Sequence, residues 1–350
     1  SYTFDFDGDL TIKDAKYIAT GVGSKTFRFD NDNNVSLTLL NVTIRLNTTS
    51  NSNYAFLFDI DTTGDIRIID SEINATRYRT STIKLEGSEV LIQNSTIWSG
   101  ARVETAGSYT WYYNCDYKPR ECAIANNYHR FTYVNLTLGA NNLTIDNSVL
   151  KATSEVTSTV LAPNTSTYYY REAWAWVDVD VEYDIEIQNS LILGLALNNG
   201  PYSGNNYQTT DDAYLGYDIT SQNLEVYNSE LKGKRVAGDS KGYLLATIES
   251  GGGEVDIQES GLGLDNSYGD FQIRETNYTL SITNSTLHTT ITACTSGYGC
   301  NNTYHNSGAV ITNSEITSSV KIAGGATWYL IGPSAPSLSI SGDGIAYFYN

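Results

Sequence analysis

Five carboxylates alternate with apolar or aromatic residues between Val177 and Ile187, which is the period of a β-strand with one acidic face. Neighbouring carboxylates on that face are expected about 7 Å apart, so their charges repel one another. Carboxylate oxygens are preferred ligands of Ca²⁺, which would relieve this repulsion. A solvated outer face explains the same pattern without a metal and is preferred. We therefore predict no cofactor and no metal site, with Ca²⁺ as the weaker alternative and its candidate ligands at Asp178, Asp180, Glu182 and Asp184.

The cysteines form two close pairs, and an even number in an exported chain is typical of disulfides. Metal binding would require tighter spacing and histidine partners, whereas the three histidines are scattered. Four cysteines allow three connectivities. We prefer a local bridge within each pair, and bridges between the two loops or between subunits are the alternatives. The predicted disulfide residues are Cys115, Cys122, Cys294 and Cys300.

The composition indicates an exported chain whose surface is largely Asn, Ser, Thr and Tyr. Only 17% of the residues are charged and the net charge is −18, which opposes binding to nucleic acid or to anionic lipid. No apolar run approaches the length of a membrane span. The chain starts at Ser1 and contains no Met, so we expect it to have been processed or trimmed. The eleven N-x-S/T sequons also favour an extracellular location.

A stretch of eight residues recurs along the chain, and Val90–Ile97 is its clearest copy. Its pattern is apolar-x-apolar-x-Asn-Ser-x-apolar. Seven copies keep the asparagine, and they begin at Leu37, Val90, Leu143, Ile185, Leu224, Leu280 and Ala309. Four looser copies carry Asp, Glu or Gly at the fifth place, and they begin at Leu10, Ile66, Val255 and Leu338. Eleven copies identify a repeat protein.

Each octet predicts a strand, a bend and a second strand. Positions one and three are apolar, as in a strand with one buried face, and the alternation slips across positions five to seven. Asn or Asp followed by Ser suits a bend, because Asn tolerates the left-handed backbone region. A further strand precedes the octet, as Thr82–Leu85 precedes Val90. We therefore predict an all-β fold, a parallel β-solenoid (a β-helix or stacked β-arches) of about eleven coils. Independent hairpins with the same turn are the alternative.

Stacked coils would place successive fifth positions about 4.8 Å apart. A primary amide both donates and accepts hydrogen bonds, so these side chains could form a ladder along the solenoid. Asp70 and Glu259 should interrupt it. The predicted asparagine ladder contains Asn41, Asn94, Asn147, Asn189, Asn228, Asn284 and Asn313.

The sequons divide according to the octets. Asn41, Asn94 and Asn284 occupy the fifth position, where we expect the side chain to point into the bend and away from a transferase. Asn135 is ambiguous. The remaining sequons fall at octet edges or in loops, and we predict glycosylation there, at Asn34, Asn47, Asn74, Asn142, Asn164, Asn277 and Asn301.

One solenoid domain is expected over residues 1–350. Wide intervals between octets predict loop insertions at roughly 98–130, 151–172 and 193–215, and loops of this length are usually functional. A terminal strand segment covers 337–350. Neither end shows a recognisable polar cap, although solenoids normally need one to stay soluble. Exposed edge strands at both ends would pair with other chains.

The octets resemble the coils of right-handed parallel β-helices such as pectate lyases and polygalacturonases. Thr210-Asp211-Asp212 is similar to the paired aspartates of the polygalacturonase-type glycosidases, whose carboxylates act as acid and base across a sugar bond. The chain lacks the Gly-His-Gly and Arg-Ile-Lys segments of that family's pattern, and adjacent aspartates at a turn are common. The alternative function that this resemblance implies is a carbohydrate-active enzyme or a carbohydrate-binding adhesin.

The Asn-Ser-x-Ile coils, the sequons, the abundance of Tyr in place of charge and the lack of caps together resemble surface proteins of methanogenic archaea. Among these the chain is most similar to the major proteins of tubular sheaths. The likeness implies stacked β-arches that form hoops and tubes, amyloid-like in their resistance to detergent and protease. We therefore predict a non-catalytic cell-surface glycoprotein that self-assembles through its terminal coils into a sheath or filament.

Overall fold

The computed structural model describes most of the residues of the chain. These are residues 2–4, 8–21, 26–31, 34–48, 58–105, 127–158, 168–199, 209–236, 244–250, 254–265, 270–275, 279–288, 290–293, 308–316, 319–323, 327–332, 337–341 and 345–349.

The strands lie in three rows, called here the a, b and c rows, and are numbered β1 to β32 in chain order. The a row contains β1 (Tyr2–Phe4), β4 (Phe27–Asn31), β7 (Phe58–Thr62), β10 (Thr80–Glu86), the first part of β13 (Asn127–Asp146), the first part of β15 (Tyr168–Gln188), β17 (Thr209–Ser221), β20 (Leu244–Ser250), β23 (Asp270–Glu275), β26 (Thr290–Ala293), β29 (Ser319–Ala323) and β31 (Ser337–Ser341).

The b row follows each a-strand after a short turn. It contains β2 (Leu10–Lys13), β5 (Leu37–Leu40), β8 (Ile66–Ile69), β11 (Glu89–Gln93), the second parts of β13 and β15, β18 (Asn223–Tyr227), β21 (Glu254–Gln258), β24 (Thr279–Thr283), β27 (Gly308–Thr312), β30 (Thr327–Ile331) and β32 (Ile345–Tyr349).

The c row follows each b-strand after the predicted bend. It contains β3 (Lys16–Gly21), β6 (Thr43–Thr48), β9 (Glu72–Arg77), β12 (Thr96–Thr105), β14 (Val149–Ser158), β16 (Leu191–Asn199), β19 (Glu230–Val236), β22 (Gly261–Asp265), β25 (Thr286–His288) and β28 (Glu315–Ile316).

The a and b rows form one 22-stranded sheet, and the c row forms a 10-stranded sheet that packs against it. Strands pair in parallel with the strand of the same row one coil away, as β10 does with β13 and β14 does with β16. In β13 and β15 the chain passes from the a row to the b row with only a register shift between Ala140 and Asn142. The described residues contain no helix. The predicted all-β parallel solenoid is confirmed.

The core lies between the two sheets and runs along the solenoid. Each strand directs alternate residues inward, so one coil contributes Phe27 and Phe29 from the a row and Leu37 and Leu39 from the b row. Ile44 of the c row packs against them from the opposite sheet. The period of two in the octets therefore corresponds to burial of one face in interior strands such as β5, β10 and β11.

Strands occupy much of the three ranges in which loop insertions are predicted. In these coils β12 extends to Thr105, β14 to Ser158 and β16 to Asn199, while β13 and β15 begin early, at Asn127 and Tyr168. The lengthened strands pair with one another in register, which gives each strand hydrogen-bonding partners over its added length. Residues 106–126, 159–167 and 200–208 lie outside the described part of the chain.

The last octet was assigned to the wrong row. Leu338 belongs to β31, an a-strand that pairs with β29. The b-strand before β31 is β30, and the bend after β30 lies at Gly332, whose φ is 60°. Gly332 N–H donates to Tyr349 O at 2.9 Å, as the other bend residues donate to the coil that follows.

Candidate functional site

The bends between the b and c rows repeat with nearly constant geometry. All ten octet residues at the fifth position have positive φ, between 45° and 53°. Asn is the non-glycine residue that adopts this region most readily, because its short polar side chain can hydrogen-bond locally. The ten bend residues are Asp14, Asn41, Asp70, Asn94, Asn147, Asn189, Asn228, Glu259, Asn284 and Asn313.

The bend side chains form runs of the predicted ladder. Asn147 Nδ2 donates to Asn94 Oδ1 at 2.7 Å, and Asn94 Nδ2 donates to Asp70 Oδ1 at 3.0 Å. Asn41 donates in the same way to Asp14 at 2.7 Å. A carboxylate can accept but not donate, so Asp70 continues the run on the Asn94 side and supplies no donor to the coil before it. Asn228 Nδ2 donates to Asn189 Oδ1 at 2.8 Å further along.

The expected inward direction of the bend side chains is wrong. Asn41, Asn94 and Asn284 are exposed, and the residue after each of them is buried. The positive φ turns the fifth side chain to the outer rim and gives the inward position to the sixth residue. The sequons at Asn41, Asn94 and Asn284 are therefore accessible in the folded coil, and the reason for excluding glycans there no longer holds.

A ladder of buried serines, which the sequence analysis did not identify, lies directly inside the asparagines. Each hydroxyl accepts the backbone N–H of the sixth residue in the preceding coil at 3.0–3.1 Å, as Ser190 Oγ does from Ser148 N. Each hydroxyl also donates to the backbone carbonyl oxygen of the residue two positions before it, in the same coil. The ladder contains Ser71, Ser95, Ser148, Ser190, Ser229, Ser260, Ser285 and Ser314. Its signal in the sequence was the recurrent serine at the sixth octet position.

The acidic stretch lies on the outer face of β15, as the preferred interpretation predicted. The described residues contain no group of His, Cys, Asp or Glu side chains arranged to hold a metal. Asp180, Glu182 and Asp184 are exposed, whereas Asp178 is partly buried. Burial raises the pKa of Asp178, and the nearby carboxylates of Asp180 and Glu86 raise it further. The structure thus gives no support to the calcium candidates.

Replacing Asp178 with asparagine should stabilise the protein at neutral pH, by less than about 1 kcal/mol because the site is partly solvated. Its raised pKa means that the folded state binds this proton more tightly than the unfolded chain does, so the ionised form opposes folding. The destabilisation by ionised Asp178 is present at pH values above its pKa in the folded state, and it is lost as the pH falls through that pKa. Urea denaturation should therefore show the gain at about pH 7 and none at about pH 3, where both side chains are neutral. An equal gain at both values would contradict the electrostatic cause.

The predicted glycosylation sites differ in accessibility. Asn34 and Asn47 are exposed, whereas Asn74 and Asn142 are partly buried within paired strands. Asn142 Nδ2 donates to Glu89 Oε1 at 2.8 Å. Outside the described residues lie the other predicted glycosylation sites and all four predicted disulfide residues, namely Asn164, Asn277, Asn301, Cys115, Cys122, Cys294 and Cys300.

The aspartate pair does not occupy a turn. Thr210, Asp211 and Asp212 are consecutive residues of β17, paired in register with residues 170–172 of β15. Strand residues alternate between the two faces of a sheet, so adjacent positions belong to opposite faces.

The two ends of the stack expose strand edges. Among the described strands, β1, β2 and β3 pair only with the second coil, and β31 and β32 pair only with β29 and β30. The side chains of β32 carry no charge, and Tyr347, Phe348 and Tyr349 are 44%, 60% and 50% exposed. Tyr347 stacks on Tyr329 of the preceding coil at 5.2 Å between ring centroids. An edge of this kind is a template for another strand.

Within the described residues, no helix is long and apolar enough to cross a membrane. Compared with known proteins, the chain matches no family model, no curated protein and no solved structure.

Proposed function

We propose that this chain is an extracellular structural protein that assembles with copies of itself, end to end, into a cell-surface sheath or filament. The exposed edge of β32 is the observation that carries the proposal. An uncharged strand with three large exposed aromatic residues has neither the lysine nor the proline that usually protects an edge. A second copy that stacks its first coil on this edge would satisfy the backbone groups and bury the aromatic surface.

The polarity of the coils favours stacking in one direction. Each bend N–H donates to the carbonyl of the following coil, as Asn284 N does to Thr312 O and Asn313 N does to Ile331 O. A copy placed in the same orientation continues this donor-to-acceptor pattern and keeps the strands parallel. Head-to-tail contacts of this type repeat without limit unless the rotation between subunits closes a ring. The contact therefore builds filaments or hoops.

Phe348→Asp should weaken this assembly strongly. Burying a phenylalanine contributes about 1.5–3 kcal/mol, so the concentration needed for assembly should rise about tenfold to a hundredfold. Tyr227→Asp is the matched control, because Tyr227 is 43% exposed on the interior b-strand β18 and receives the same charge. Sedimentation velocity and negative-stain microscopy would measure both variants. A parent protein that stays monomeric at high concentration, or equal effects of the two substitutions, would refute end-to-end assembly.

A further inference from the structure

The two outer surfaces of the middle coils carry opposite chemistry. The outer side of β12, β14, β16 and β19 is called here the leucine face, and the outer side of β13, β15, β17 and β18 is called the acidic face. Both belong to the same coils, and they lie on opposite sides of the sandwich.

The leucine face is centred on β16, whose inward and outward positions are both largely apolar. Leu191, Leu193, Leu195 and Leu197 point outward and remain partly exposed. An apolar stripe on both faces of a strand is typical of a strand that is covered on both sides. The stripe is bordered by cations: among the described side chains of this face, four cations outnumber two carboxylates, and these are Arg102, Lys151, Lys232 and Lys234.

The acidic face carries nine carboxylates on its four strands and no cation among its described side chains. It also has an aromatic patch. Trp174 stacks on Tyr214 with ring centroids 3.9 Å apart. Trp176 lies over Gly216, where a Cβ would come within 1.8 Å of the indole ring. Asp178 and Asp218 follow these residues in β15 and β17.

The two faces are in register across the sandwich. A Cβ built on Gly194 would lie 2.6 Å from Leu215 Cδ1 and 3.7 Å from Val177 Cγ2. These contacts place Leu195 and Leu197 behind the outward-facing Trp176 and Trp174. Lys232 pairs in register with Leu193 and so lies behind the region of Asp218. If a second copy is displaced sideways by the thickness of one sandwich, the leucines of one copy would pack against the aromatic patch of the other. The lysines of the first copy would then lie near the carboxylates of the second.

We propose that the leucine face is a lateral interface that binds the acidic face of a second copy of this chain. Packing of two sheet faces at about 10 Å would bury the leucine stripe against the aromatic patch. Four strands of about ten residues cover about 600 Å² per copy from strand spacing and rise. The total of about 1,200 Å² reaches the lower range of specific interfaces. The surplus of cations on one face complements the carboxylates of the other.

The lateral contact uses different residues from the end contact and does not depend on it. Because the leucine face and the acidic face are different surfaces, the contact is heterologous and repeats sideways. Together with end-to-end stacking it would extend a filament into a two-dimensional wall.

Zero-length carbodiimide cross-linking tests the contact directly in the Phe348→Asp protein, where end stacking is weakened. Mixed unlabelled and ¹⁵N-labelled chains should yield isotopically mixed cross-links that join Lys151, Lys232 or Lys234 to Asp178, Asp180 or Asp218. Within one molecule these groups lie on opposite sides of a sandwich whose sheets are about 10 Å apart, so a zero-length link cannot join them. Absence of mixed links, or mixed links between two leucine faces only, would overturn the proposal.

A substitution at the centre of the stripe provides the second test. Leu195→Asp should reduce the yield of mixed cross-links at least about tenfold, since it places a carboxylate against the aromatic patch of a face that already carries nine carboxylates. Ile18→Asp is the matched control, because Ile18 is an aliphatic residue of the c row in the first coil and is 50% exposed. It should leave the yield unchanged, with circular dichroism confirming that both variants are folded. Equal yields in the two variants would show that the leucine stripe does not form the interface.

Discussion

Gly64→Ala is expected to destabilise the protein by about 3 kcal/mol, the upper part of the usual range for overpacking. A Cβ at Gly64 would lie 2.5 Å from the carbonyl oxygen of Val35 and 2.6 Å from its carbonyl carbon. Both atoms belong to the backbone of the preceding coil, so no side-chain rotation can relieve the contact. Val35 leads into β5, which pairs along its length with β8. Moving it would therefore disturb hydrogen bonds between two coils.

Gly261→Ala is the matched control, because a Cβ there meets nothing within 4 Å. Its expected effect is neutral or stabilising by about 0.4–1 kcal/mol, since alanine restricts the unfolded chain. The urea concentration at the midpoint of unfolding would be measured for both variants and the parent. The m-value, which is the dependence of the unfolding free energy on urea, should be the same in all three. If Gly64→Ala unfolds at the same urea concentration as Gly261→Ala, the close approach of the two coils at Gly64 is not a constraint on the fold.

The repeat was readable from the sequence because its bend has a strict chemical requirement. Ten residues with positive φ coincide with the fifth octet positions, where Asn, Asp or Glu stands. The a-strands were predicted less securely, because alternation alone does not distinguish an a-strand from a b-strand. This ambiguity explains why the last octet was assigned to the wrong row. Leu338–Ser341 alternates like a b-strand, whereas the actual bend at Gly332 lacks both the asparagine and the serine.

The direction of the bend side chains could not be derived from the pattern. Octet positions five and six are both polar, and only the backbone geometry decides that Asn94 faces outward while Ser95 faces the core. The register across the sandwich, which sets Leu195 behind Trp176, depends on the length of each turn and on strand packing. Neither quantity has a signature in a single sequence. The leucine face was for the same reason not recognised in the LILGLAL stretch.

Ser190→Ala is expected to destabilise the protein by about 2 kcal/mol, a typical cost of leaving buried polar groups unpaired. Ser190 Oγ accepts Ser148 N–H at 3.0 Å and donates to Gln188 O. The side chain is only 5% exposed, so water has little access to replace either bond. Alanine would leave the Ser148 N–H without its acceptor in the interior of the solenoid. Ser281→Ala, on the partly exposed outer side of β24, should cost less than about 0.5 kcal/mol.

The same ladder predicts how two substitutions combine. Ser148 and Ser190 are adjacent in it, and Ser148 N–H is the group that Ser190 satisfies. Ser148 and Ser285 lie four coils apart, about 19 Å at 4.8 Å per coil. Ser148→Ala and Ser285→Ala should therefore add within about 0.5 kcal/mol, whereas Ser148→Ala and Ser190→Ala should depart from additivity. Additivity in both pairs, measured by denaturant unfolding, would mean that the serines act as separate bridges and not as a continuous ladder.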